Sequence, residues 1–172
     1  MKKLRLYFLA VFLLSMASCD PRNFQPIYTV YTPIIMERES LERSISFHTP
    51  VPIADPAKIY YKDHFIFISE RYKGVHVIDN ADPQNPVNKG YIAVAGGVDM
   101  AIKSNTLYVD NAVDLVAIDL SKIASSKIEV TKRVKDNFPE LSPPDGLSVP
   151  SKYLKANRPV NTVIVGWEKK KL

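Results

Sequence analysis

Cysteine is nearly absent from this 172-residue chain, which has one, Cys19. A single thiol excludes a disulfide framework within the chain. With only three histidines, His48, His64 and His76, it also excludes a Cys/His zinc site of standard spacing. Glycine is scarce, at 6 residues against 13 prolines. With 46% hydrophobic and 24% charged residues, that excludes a collagen-like or disordered chain. Long apolar runs are lacking: Leu6 to Leu14 is about half of the roughly 20 residues needed to span a bilayer. Catalytic signatures are missing too. There is no G-x-S-x-G elbow, phosphate-binding loop, G-x-G-x-x-G, H-E-x-x-H or acidic calcium loop. The sequence therefore predicts no catalysis, no cofactor and no metal.

What is present begins with an address. Lys2, Lys3 and Arg5 precede the apolar run, and Ser15-Met16-Ala17-Ser18 leads into Cys19. Charge, a short apolar core and small residues mark residues 1–18 as a secretory signal peptide. Met16-Ala17-Ser18-Cys19 resembles the lipobox of bacterial lipoproteins. That resemblance implies cleavage before Cys19, acylation of its thiol, and a membrane partner reached through the lipid. It places the chain in the cell envelope, at the outer membrane or the periplasmic face of a diderm bacterium. The alternative is an ordinary export signal with an incidental cysteine.

This address also accounts for the charge. The formal net charge of +5 invites a nucleic-acid reading. Three of the positive residues belong to the signal peptide, and the C-terminal Glu168-Lys169-Lys170-Lys171 carries the rest of the excess. Basic and acidic residues balance between 19 and 167, so nucleic acid is not an expected partner.

Residues 19–56 are rich in proline (Pro21, Pro26, Pro33, Pro50, Pro52 and Pro56) and read as an extended tether. One proline-free stretch, Met36 to Phe47, predicts a short helix. Leu41 and Ile45 lie four apart there, and Glu39 precedes Arg43 at the supporting spacing. A charged loop is the alternative.

Residues 57–172 read as an all-β domain. Ile59-Tyr60-Tyr61, Phe65 to Ile68, Val75 to Ile78, Tyr91 to Val94, Leu107 to Val109 and Leu115 to Ile118 are short β-branched and aromatic runs separated by turn residues. Several are apolar at every position, which predicts strands buried on both faces. Lys127 to Val134 and Thr162 to Val165 offer further strands, whereas Phe138 to Pro159 reads as loop. Tyr61 to Ile68 aligns with Ile102 to Val109 at an offset of 41, and Val75 to Asp79 with Leu115 to Asp119 at an offset of 40. Two repeats, 58–98 and 99–135, emerge at the spacing of β-propeller blades. A chance likeness between two hairpins is the competing reading.

Gly74-Val75-His76-Val77-Ile78-Asp79, followed by Asp82-Pro83-Gln84-Asn85-Pro86, resembles the LVIVD repeat. In that family a glycine-led strand ends in Asp and runs into a D-P-x-x-P turn. The resemblance spans about Lys58 to Lys122 and implies propeller-like blades on a secreted or surface-anchored protein, with no single assigned activity. The second copy departs from the motif, with Asp114 at the glycine position and no D-P-x-x-P turn. Four blades of about 40 residues would need more than residues 57–172 supply, so the expected propeller is incomplete.

The densest acidic group is Asp110, Asp114 and Asp119 with Asn111 among them. Asp110 and Asp114 are the candidate binding residues, able to share a cation or a polar ligand at one end of a blade. The competing role is local backbone bonding at turns and strand ends. The expected function is a lipid-anchored extracytoplasmic protein whose β-surface binds an envelope protein or a glycan. The rivals are a metal-dependent or other enzyme on a propeller scaffold, and a fragment of a longer propeller protein without independent activity.

Overall fold

A computed structural model describes residues 27–169. The predicted signal peptide and Cys19 lie outside the described residues. Eleven strands, one α-helix and two short 3-10 turns run in the order β1 (Tyr31–Glu37), α1 (Arg38–Glu42), β2 (Ser46–His48), β3 (Pro56–Lys62), β4 (Phe65–Glu70), β5 (Gly74–Asp79), β6 (Val87–Ala93), β7 (Met100–Lys103), β8 (Thr106–Asn111), β9 (Asp114–Asp119), β10 (Glu129–Val134) and β11 (Thr162–Lys169). The protein is all-β, with antiparallel pairing throughout its named strands.

Two up-and-down meanders form the body. Strands β3 to β6 make the first, extended by β2 to the order β2-β6-β5-β4-β3; β7 to β10 make the second, in the order β10-β9-β8-β7. Their central hairpins repeat one another. Phe65 pairs with Asp79 in one and Thr106 with Asp119 in the other. The turns before β4 and β8 each hold a left-handed residue, Asp63 (φ 55) and Ser104 (φ 52). The exits match too: the Asn80 N–H donates to the His64 carbonyl at 2.7 Å, and the Leu120 N–H to the Asn105 carbonyl at 2.8 Å.

Strand periodicity puts alternate side chains on one face. Phe65, Phe67, Val75, Val77 and Ile92 of the first sheet meet Met100, Ile102, Leu107, Val109, Val116 and Ile118 of the second in one continuous core. Each such residue contributes about 1.5–3 kcal/mol on full burial. The first strands of the meanders lie side by side. Tyr60 donates its hydroxyl to the Ile102 carbonyl at 2.9 Å, and Lys58 Nζ reaches Asp99 at 2.6 Å. Neither sheet closes on itself, so the arrangement is an incomplete, propeller-like pair of blades.

Three local outcomes differ from the sequence reading. The helix is five residues long rather than spanning Met36 to Phe47. Its Glu39–Arg43 pair forms, but Ser46–His48 leaves to pair with β6, seating Phe47 opposite Ile92. The proline-rich stretch is part of the fold from Tyr31 onward, since β1 pairs with β11 and Leu41 is fully buried against Ala112, Val113, Val163 and Val165. Burial on both faces is the outcome for much of β5 and β9 but not for β3, an edge strand whose Ile59 is 69% and Tyr61 61% exposed.

Candidate functional site

Asp110 and Asp114 stand at the same end of the β8–β9 hairpin, at the end of β8 and the start of β9, and their carboxylates do different things. Asp114 is fully buried. Its Oδ1 and Oδ2 accept from Arg38 at 2.8 and 3.0 Å, Oδ2 from Arg133 at 2.7 Å, and Oδ1 from the Asp136 N–H at 3.0 Å. Burial by itself raises the Asp114 carboxyl. The Asp136 amide and the guanidiniums of Arg133 and Arg38 outweigh it and hold the group below its ordinary range. Around this centre Arg133 also donates to Asn111 Oδ1 and the Glu42 carbonyl, while Glu42 receives Arg38 and Lys135. The network ties α1 to the second blade, so Asp114 is committed to architecture.

Asp110 is clamped differently. It accepts the Val98 N–H on both oxygens, at 3.1 and 3.0 Å, and the Asp99 N–H on Oδ1 at 2.6 Å. This fixes the β6–β7 connection, where Gly96 turns with φ 76 and a Cβ would lie 2.7 Å from that of Ala112. No cationic side chain pairs with Asp110 among the described residues, and burial pushes its carboxyl up, against the pull of the Asp99 and Val98 amides. The two candidate aspartates therefore share no partner. Among the described residues there is also no group of three His, Cys, Asp or Glu able to hold a metal.

Asp110 lines a groove of about 630 Å³ on the outer face of the second blade. Val98, Met100, Ala101, Tyr108, Leu115 and Phe138 make its apolar walls. Asp110 and Tyr108 share this face because they lie two apart on one strand. The far wall is residues 138–142, held by three ties. The Phe138 N–H donates to the Val113 carbonyl, Trp167 Nε1 to the Leu141 carbonyl at 3.0 Å, and Glu140 pairs with the buried Arg158. The size and the apolar lining with few polar groups are those of a ligand pocket. Sequence reasoning found Asp110 but missed the groove. Its walls come from β7, β8 and a loop about 30 residues downstream that has no periodic pattern.

The histidines take separate places. His48 Nε2 meets Ser46 Oγ at 2.8 Å on an exposed strand end, with no carboxylate to orient the ring, so the pair lacks the third group of a nucleophilic site. His64 is exposed beside Asp79. His76 is fully buried, 2.7 Å from Glu70, whose other oxygen binds Lys73, and the Tyr91 ring packs against it at 4.8 Å. Burial by itself raises the Glu70 carboxyl, but Lys73 and His76 outweigh it and hold the group low. Burial also raises the Tyr91 phenol. This cluster is sealed in the sheet. The groove beside Asp110, by contrast, is open at the surface. Comparison with protein-family models, curated proteins and solved structures found no match.

Proposed function

We propose that the chain is a lipid-anchored, extracytoplasmic β-repeat protein of the LVIVD type, held to the membrane through Cys19, which presents a β-surface to a partner protein and carries out no catalysis. The leader of residues 1–18 supports the anchor. The observation that carries the partner is β3. Its backbone ladder is with β4 alone among the described strands, and β7 is tied to it by the Tyr60 hydroxyl rather than by backbone pairing, so its outer edge is open to a further strand. Ile59 and Tyr61, on one face, continue the row of Ile68 and Ile66 across the pair. Such an edge accepts an extended segment of another chain, whose side chains alternate over the neighbouring apolar row. Protein is favoured over glycan because three of the four residues in this row, Ile59, Ile66 and Ile68, are aliphatic and Tyr61 is the one ring, whereas a sugar needs converging polar groups.

The reading is tested with a photoreactive amino acid at position 61 of the full chain, in cells, with the same probe at position 132 of β10 as the comparison. A discrete protein adduct at 61 and none at 132 is expected. No adduct at 61, or equal labelling at both positions, would overturn it.

A further inference from the structure

We propose that the groove beside Asp110 is a binding site for an organic ammonium ion carried on an apolar, ring-sized body. The argument starts from charge pairing. Three carboxylates line the groove, of Asp99, Asp110 and Glu140. Asp99 is paired with Lys58 and Glu140 with Arg158, so the cations at the site are already committed. Asp110 receives only backbone N–H groups.

Its acceptor capacity is not filled. A carboxylate has about four lone-pair positions. Oδ2 of Asp110 accepts only the Val98 N–H, which it shares with Oδ1, so the carboxylate can take a further donor. Partial burial strengthens the attraction of this uncompensated negative charge for a cation, and a charged donor makes the stronger hydrogen bond. A carboxylate or phosphate ligand is repelled for the same reason. A purely apolar ligand would cover Asp110 without pairing it, at the cost of an unsatisfied buried group.

The remainder of the groove specifies the body of the ligand. Tyr108 and Phe138 present partly exposed rings, 39% and 38% accessible, within one wall set. Aromatic faces attract an ammonium and its adjacent apolar carbons. The aliphatic wall of Val98, Ala101 and Leu115 suits a ring or short chain, and a volume of about 630 Å³ accommodates one. The groove borders β3 through Lys58 but uses neither Ile59 nor Tyr61, and the two readings are tested by different measurements, so each can fail without the other.

The test uses 2-phenylethylammonium as the probe and 2-phenylethanol, the same body without charge, as its comparison. Each is titrated by calorimetry into the full chain at neutral pH. Saturable binding of the ammonium is expected, with the alcohol weaker by about tenfold or more, the factor that corresponds to one moderate charge-assisted contact. In Asp110→Asn the two probes should bind within about twofold of each other. Asp110 also clamps Val98 and Asp99, so a second variant keeps the test decisive if that one fails to fold. Ala101→Phe fills the groove from an exposed position with Asp110 intact, and it should abolish binding of both probes. No saturable binding of the ammonium, equal affinity for the alcohol in the unaltered chain, discrimination that survives Asp110→Asn, or binding that survives Ala101→Phe each overturns the proposal.

Discussion

Replacing Asp114 by Asn removes one negative charge from a site where two guanidiniums converge. The carboxylate is fully buried, and the side chains of its partners Arg38 and Arg133 are only 21% and 12% exposed. Asn can still accept the Asp136 N–H, but it supplies one acceptor where Arg38 and Arg133 need two anionic ones. The remaining anions in contact with Arg38 are Glu42, which is shared with Lys135, and the exposed Asp136 at 3.6 Å. Breaking a buried pair from one side costs about 3–5 kcal/mol, because the surviving charges stay desolvated. In urea, with a slope of about 2 kcal/mol/M, that is a fall in midpoint of about 1.5–2.5 M at unchanged slope. The pH dependence has a defined sign. The folded-state pKa of Asp114 lies below the unfolded value, so its contribution is complete above about pH 4 and fades as pH falls through the folded pKa. The gap between the two proteins should close over that acidic window. A triple variant with Asp114→Leu, Arg38→Met and Arg133→Met should recover much of the loss, since apolar replacement of a whole buried ion cluster is often neutral. A loss under about 1 kcal/mol for Asp114→Asn, the size of a surface pair, would refute the reasoning.

Two further outcomes are expected. Gly74→Ala should abolish or severely weaken folding, read as loss of a cooperative thermal transition. A Cβ at Gly74, which has φ +154, would lie 2.1 Å from the Ile92 carbonyl oxygen and 2.9 Å from the Tyr91 ring. A normal melting curve would mean that β5 and β6 can separate more easily than their packing indicates. Cys19→Ala should move the chain from the membrane fraction to the soluble fraction of cells, because acyl chains supply about 0.8 kcal/mol per buried CH₂ and no helix among the described residues is long and apolar enough to cross a membrane. Retention of the variant in membranes would count against the lipid anchor.

The parts of the fold that could be read from sequence are those whose partners lie close along the chain. The β4–β5 and β8–β9 hairpins join neighbouring strands through short links, so apolar runs and turn residues were enough to locate them and their common spacing. Strand β1 was hidden because its partner β11 lies far along the chain, and Pro33 made the segment look like a spacer. Proline is tolerated there because β1 is an edge strand. The helix was overextended for a related reason. Ile45 fits a helical period with Leu41, but tertiary packing draws Ile45 and Phe47 onto the blade core. At the candidate site, Asp110 and Asp114 were visible as an acidic group, while their separation into a clamp and an ion-pair centre was not. That division depends on Arg38, Arg133 and the backbone of Val98 and Asp99, none of which any local pattern connects to them.

The pairing of β1 with β11 has a mechanical consequence. Tyr31 lies opposite Lys169, so the chain enters and leaves this pair at one point. A pull applied between those two residues loads the hydrogen bonds one after another, from Tyr31–Lys169 inward to Glu37–Thr162, rather than all at once. The strand pair would open as a zipper at low force, with the two blades still packed. A chain tethered at its N-terminal side would load the Tyr28–Ser148 bridge and the Thr29–Asp145 bond as well, and these with the β1–β11 pair would yield slack before the blades separate.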